Sequence, residues 1–287
     1  MISNFPAIMR CKAPSSSTVE TVTDRWRGLA VLPFPPLALS LAGSAWVMLL
    51  GLDASPYGRY LHHGDWGAVG LGAAICAAVP GGTWLAPLMA YATGWLLMTG
   101  AMMLPTTLPL TRIFGRMVAG RSDGAVLQGL LIMGYLVAWS GFGVSAYALD
   151  WALHAGLSGW TWLSRHPGIP GAMVLAVAGG FQFSGLKYHC LDKCRTPLGF
   201  IMSRWHGPKP RREAFWLGLS HGGYCVGCCW ALMLVMFFVG MGNLGWMLGV
   251  GLVMAVEKNH SWGRRIAAPL GGALLSLAGI VLLRDLV

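Results

Sequence analysis

The sequence predicts an all-α, polytopic transmembrane helix bundle of about seven spans, with one further partial or re-entrant helix. Three observations predict it. Only 10% of the 287 residues are charged and 55% are hydrophobic, with a mean hydropathy of +0.60, whereas a soluble domain carries about a quarter charged residues. Several apolar runs are long enough to cross about 30 Å of hydrocarbon as helices. The 41 glycines suit close helix contact in lipid. The formal charge of +10 lies in the connections between apolar runs, as topology-setting charge does, and so argues against a nucleic-acid face. Seven cysteines in such a chain do not read as the disulfide framework of a short secreted domain.

In chain order, residues 1–30 are a polar tail with a Ser15–Thr18 run and Arg10, Lys12, Arg25 and Arg27. The start, Met1–Arg10, lacks the basic-then-apolar pattern of a signal peptide. Residues 31–287 form the transmembrane domain. Its first span is predicted over Pro33–Leu52, entered through Pro33, Pro35 and Pro36. The connection Asp53–Asp65 holds Arg59, His62 and His63, the latter two reading as a solvated loop. The apolar run Gly67–Val79 is too short for a full crossing and stops at Pro80-Gly81-Gly82, so it reads as the partial helix. Cys76 within it reads as a packing residue. Further spans are predicted over Thr83–Leu104, Ala125–Leu153, Gly171–Leu186, Ala214–Gly240, Leu244–Val256 and Ile266–Leu283. With seven crossings, the tail and the basic connections 112–121, 187–213 and 257–265 all fall on one side. The positive-inside rule then puts the N-terminus in the cytoplasm and the C-terminus outside. No Walker-type phosphate loop, Gly-x-Ser-x-Gly elbow or His-Glu-x-x-His motif occurs, which argues against an ATP-driven pump.

The chemistry concentrates in Ser220–Trp230. On a helix, His221, Cys225, Cys228 and Cys229 fall within an arc of about 100°, with Met236 on the same arc two turns on. One nitrogen and a line of sulfurs on one face make a soft-metal or a redox set, although cysteine also packs as a small apolar residue. A second group, Lys187–Arg195, stacks Cys190 and Cys194 one helical turn apart. Lys187, Lys193 and Arg195 would favour their thiolates or anchor the helix end at headgroups. Both cysteine groups fall at the cytoplasmic ends of their predicted spans, and so at one membrane depth. Tyr91, Trp95, Met98 and Met102 share a face of another span, followed by Met103 and Pro105. Their thioethers either pack or extend a soft-metal path. Met247, Met254 and Glu257 share a face with Asn243. Glu257 is a site candidate as a carboxylate at the membrane, or else pairs with Lys258, Arg264 or Arg265.

Four blocks taken together resemble a known family. They are Trp95-x-x-Met98-x-x-Ala101-Met102-Met103-x-Pro105, Lys187-x-x-Cys190-Leu191-x-x-Cys194-Arg195-x-Pro197, His221-Gly222-x-Tyr224-Cys225-x-Gly227-Cys228-Cys229-Trp230, and Asn243-Leu244-x-Trp246-Met247 through Glu257-Lys258. Over roughly residues 84–283 the chain resembles the bacterial predicted metal-binding integral membrane proteins, long catalogued as a domain of unknown function. Some members are described as copper chaperones serving a copper enzyme such as a tyrosinase. The resemblance implies copper handling at a bacterial inner membrane. Its motif positions are the candidates already found: Met98, Met102, Met103, Cys190, Cys194, His221, Cys225, Cys228, Cys229 and Glu257.

The reading is therefore a membrane protein that binds a soft metal, Cu(I), for a copper-dependent enzyme or its assembly proteins. Cys225, Cys228 and Cys229 are the primary ligands, Cys190 and Cys194 a second pair, and His221 a ligand or orienting group. Two rivals stand beside it. A membrane thiol-disulfide oxidoreductase would use Cys225-x-x-Cys228. An assembly factor would carry a structural zinc site of cysteine and histidine.

Overall fold

The computed structural model describes residues 36–54, 85–157, 162, 165–166, 168–239 and 243–286, and every regular element among them is helical. The 1–30 tail, Cys11, the His62-His63 loop and the 67–79 run with Cys76 lie outside the described residues. The helices are α1 (Pro36–Asp53), α2 (Leu85–Met103), α3 (Leu108–Val118), α4 (Gly124–Leu157), α5 (Gly168–Phe181), α6 (Gly185–Arg195), α7 (Pro197–Met202), α8 (Pro210–Val239), α9 (Leu244–Asn259) and α10 (Ala267–Leu286).

Local chemistry sets several of these boundaries. Pro105 lacks an amide donor, and α2 gives way at Met103 to a 3-10 turn over Pro105–Thr107. The Thr106 and Thr107 hydroxyls donate to the carbonyls of Met103 and Leu104, each at 2.8 Å, and satisfy acceptors at the broken end. Ser184 caps α6, its hydroxyl oxygen accepting from the Lys187 amide at 3.1 Å. Asn243 caps α9 through the Trp246 amide at 3.2 Å.

Among the described residues, three helical stretches are long and apolar enough to cross a membrane: Gly124–Leu149, Pro210–Met236 and Gly263–Leu286. A fourth is present if α5 and α6, which meet at 64°, make one broken span. The expectation of about seven spans is thus supported for three or four. At 1.5 Å per residue, the 16 residues of α9 reach only about 24 Å. Two basic stretches expected as connections are helical instead. Residues 108–118 form α3, which buries Leu110, Thr111, Phe114 and Val118, an i, i+4, i+8 stripe with arginines off it. Residues 185–202 form α6 and α7. Charge density had suggested loops, but the apolar period in these stretches is that of one-sided helices.

The most extensive helix contact is between α4 and α8, and glycine makes it possible. A Cβ on Gly134 or Gly218 would collide with the facing backbone of Phe215 or Leu131, and one on Gly222 would lie 2.9 Å from the Tyr135 carbonyl oxygen. Gly218 and Gly222 are one turn apart, so α8 seats a small-residue groove directly on α4. That approach brings Tyr135 of α4 alongside Cys225.

Candidate metal centre

Helix α8 buries Ala214, Leu217, His221, Cys225, Cys228, Cys229 and Leu232, one face at helical spacing. The arc inferred from sequence is therefore the inward face. It meets three other helices. From α4 comes Tyr135, whose hydroxyl lies 3.0 Å from Cys225 Sγ and 3.3 Å from the Met103 carbonyl oxygen. From α2 comes Met103, its Sδ 3.9 Å from Cys229 Sγ. From α9 comes Lys258.

Lys258 is the residue the sequence reading missed at this site. Its side chain is 6% exposed, and Nζ lies 2.9 Å from Cys225 Sγ, 3.7 Å from Cys229 Sγ and 3.8 Å from Met103 Sδ. The Thr106 hydroxyl is its fourth neighbour at 3.3 Å. An ammonium has donors only, so each of these atoms accepts from it. A buried charge is paired, and among the described residues no carboxylate is within ion-pair distance of Nζ. Cys225 Sγ is the sulfur nearest to it. The Cys228 and Cys229 sulfurs lie 3.1 and 2.9 Å from the Cys225 carbonyl oxygen. The cradle thus sets one buried ammonium among sulfurs.

The second cysteine group reaches the same place. α6 packs on α8, and a Cβ on Gly227 would lie 2.7 Å from Cys190 Sγ, so glycine at that position admits the Cys190 thiol. Cys194 interacts with Cys228, sulfur against sulfur. His221 is buried one turn before Cys225, beside Tyr135 and Phe200 with ring centroids 6.1 and 5.4 Å away. Among the described residues its Nδ1 has no hydrogen-bond partner. Met98 and Met102 are fully buried on α2. Met102 faces α9 at Gly251, where a Cβ would lie 3.6 Å from Met102 Cγ. Of the three methionines Met98, Met102 and Met103, it is Met103 whose sulfur meets a thiol among the described residues.

Glu257 looks the other way. Its carboxylate accepts from Lys187 Nζ at 2.8 and 2.9 Å, and Gln182 also accepts from that ammonium. The Glu257 carbonyl accepts from Arg195, which also donates to the Ser261 carbonyl at 3.1 Å. Lys187 is fully buried. The partner of Glu257 is therefore Lys187, not Lys258, Arg264 or Arg265. One signal for Lys187 was available: at i, i+3 and i+7 it shares a helix face with Cys190 and Cys194. For Lys258 the sequence offered only its adjacency to Glu257.

The copper-chaperone family PpoB2 matches residues 92–282, about two thirds of the chain. The chain belongs to that family. The match takes in every candidate residue above, together with Lys187 and Lys258. No curated protein and no solved structure matches the chain. Among the described residues, no group of three or more histidine, cysteine or carboxylate side chains is arranged to hold a metal ion. The donors fit copper in kind, since thiolate, thiol and thioether select Cu(I) over hard cations. Membership in a copper-chaperone family points to copper handling.

Proposed function

We propose that this chain is a multi-pass protein of the bacterial inner membrane that holds Cu(I) at the α8 sulfur cluster and passes it to a copper-dependent enzyme or its assembly proteins. The observation that carries this reading is the cradle itself: Cys225 and Cys229 from α8 and Met103 from α2 turned towards one buried cation. Cys228 and Cys194 lie beside it, and His221 adds a nitrogen without a partner among the described residues. Cys190, Met98 and Met102 extend the soft lining, while Glu257 holds the helix that bears Lys258. In this reading seven crossings place the basic segments, and with them the cluster, towards the cytoplasm. The N-terminus is cytoplasmic too.

Copper per folded protein, measured after Cu(I) loading, tests the function. Cys225→Ser and Cys228→Ser are expected to lower it, Cys225→Ser the more, because a hydroxyl is a hard and poor Cu(I) ligand. Wild-type protein that stays at background copper would end the reading. The Cys194–Cys228 contact favours one rival, the thiol-disulfide oxidoreductase. A wild-type Cys194–Cys228 disulfide with copper at background would decide for it. Stoichiometric zinc retained without added metal would decide for the zinc-stabilised assembly factor.

A further inference from the structure

We propose that the Lys258 ammonium holds the place of the cargo: it and a monovalent metal ion are alternative occupants of the cradle formed by Cys225, Cys229 and Met103, and loading exchanges one for the other. This rests on the copper reading above and adds how the site is kept ready and what charge it accepts.

The geometry supports exchange over coexistence. Three sulfurs surround Nζ at 2.9, 3.7 and 3.8 Å, drawn from helices far apart in sequence. Metal–thiolate bonds are shorter, about 2.3 Å for zinc, so an ion bound to these sulfurs would sit where Nζ now sits after a modest inward turn of the side chains. The ammonium and the ion cannot share that volume. Charge leads to the same conclusion. Replacing Lys258 by Cu(I) breaks the N–H···S hydrogen bonds and forms Cu–S bonds, and one positive charge leaves the cradle as another enters. A divalent ion would bring a second positive charge into a site excluded from water, and needs a thiol proton released to offset it. Lys258 also has a way out. It is the last residue but one of α9, next to exposed Asn259 and His260, so a rotamer change at the helix end can carry Nζ to the surface while α9 stays docked.

Glu257 and Lys187 supply the internal control. Lys187 is just as buried, but it faces a carboxylate and an amide oxygen, hard partners for which Cu(I) does not compete.

The test is amine-selective acylation of the full-length wild-type protein in detergent, read at each lysine by mass spectrometry, with copper content measured on the same sample. Three states are compared: metal-free, loaded with Cu(I), and exposed to Zn(II). On Cu(I) loading, Lys258 labelling is expected to rise about tenfold or more, as for a group passing from a minor to the dominant open population. Lys187 is expected to stay protected, and exposed Lys193 and Lys209 to label equally throughout. Zn(II) is expected to leave Lys258 protected. Copper bound at stoichiometry with Lys258 still protected would overturn the exchange while the copper function stands. A joint rise of Lys187 and Lys258 would mean general loosening and overturn it too. Equal exposure under Zn(II) would overturn the charge matching. Absence of bound copper would remove the function and the exchange together.

Discussion

Glu257 and Lys258 are neighbours in sequence, both buried at the last turn of one helix, and they face opposite chemistry. Glu257 pairs with Lys187 through two short contacts, Gln182 accepts from the same ammonium, and Arg195 donates to the Glu257 backbone carbonyl. Lys258 pairs with sulfur, through one short contact and two long ones. The first pair is hard, bidentate and saturated. The second is soft and loosely coordinated. One helix end therefore carries a carboxylate–ammonium strut and a sulfur-facing cation side by side, and under the proposed exchange the strut would keep α9 positioned as the cation leaves.

The contrast can be broken most violently at the strut. Lys187→Met should destabilise the protein by about 3–5 kcal/mol, since it leaves Glu257 buried without its cation. Neutralising a glutamic acid of ordinary pKa near 4.3 at pH 7 itself costs about 3.7 kcal/mol. The double change Lys187→Met with Glu257→Leu should recover most of that loss, because a buried ion pair can be replaced by apolar residues at little net cost. Thermal unfolding in detergent measures both. Copper content per folded double mutant is expected to equal wild type, and a drop would make Glu257 a ligand instead of a strut.

Lys258→Gln should cost less, about 1–2 kcal/mol. The difference lies in the partner left behind. A cysteine of ordinary pKa near 8.5 is already a thiol at pH 7, so a sulfur left without its cation can be neutral without penalty where Glu257 cannot. Unfolding of the two lysine variants under one condition checks the ranking. Equal losses would mean that the two buried cations do the same structural work.

Met103→Leu should alter stability least among the buried changes. The side chains are close in volume, and such swaps usually cost under about 1.5 kcal/mol. Its effect should appear in copper retention, because leucine takes the thioether from the cradle and offers no donor. Competition with a soluble Cu(I) chelator reads this directly. Unchanged retention would remove Met103 from the site.

Much of this was legible before any coordinates. Period-3.6 spacing placed His221, Cys225, Cys228 and Cys229 on one face, and that face is buried. The spacing of Cys190 and Cys194 put them on one side of α6, which does meet α8. Helix neighbours are not encoded in spacing, and the reading failed where they mattered. Lys258 looked like a helix-end charge because nothing in Glu257-Lys258-Asn259 says that sulfurs from α8 and α2 lie opposite. Lys187 is expected from sequence to favour the thiolates or anchor a helix end, yet it is buried against Glu257; Arg112 and Arg116 read as loop charges, yet they lie on the amphipathic helix α3. Local composition counts charges but does not tell which are solvated. Span counting was limited by the same means, since α9 and α2 sit near the minimum length for a crossing.

The smallest effect is expected at an ion pair that shares neither property. Arg121 and Asp123 lie in the turn between α3 and α4, joined by Nε to Oδ1 at 2.8 Å and a second contact at 3.1 Å. The hydrogen bonds from Arg121, with weaker attraction to Arg211, hold the Asp123 carboxyl below its ordinary range. A carboxylate lowered in the folded state stabilises the fold above its unfolded pKa, and that contribution disappears as pH falls through the folded value. The gap in melting temperature between wild type and Arg121→Ala should therefore be small near neutral pH and close on the acid side, below the usual aspartate range. Added salt should shrink it as well, because an exposed pair is screened. The strut formed by Lys187 and Glu257 should keep its gap in the same salt series. If the Arg121→Ala gap persisted in high salt, burial would not be what separates this surface pair from the strut.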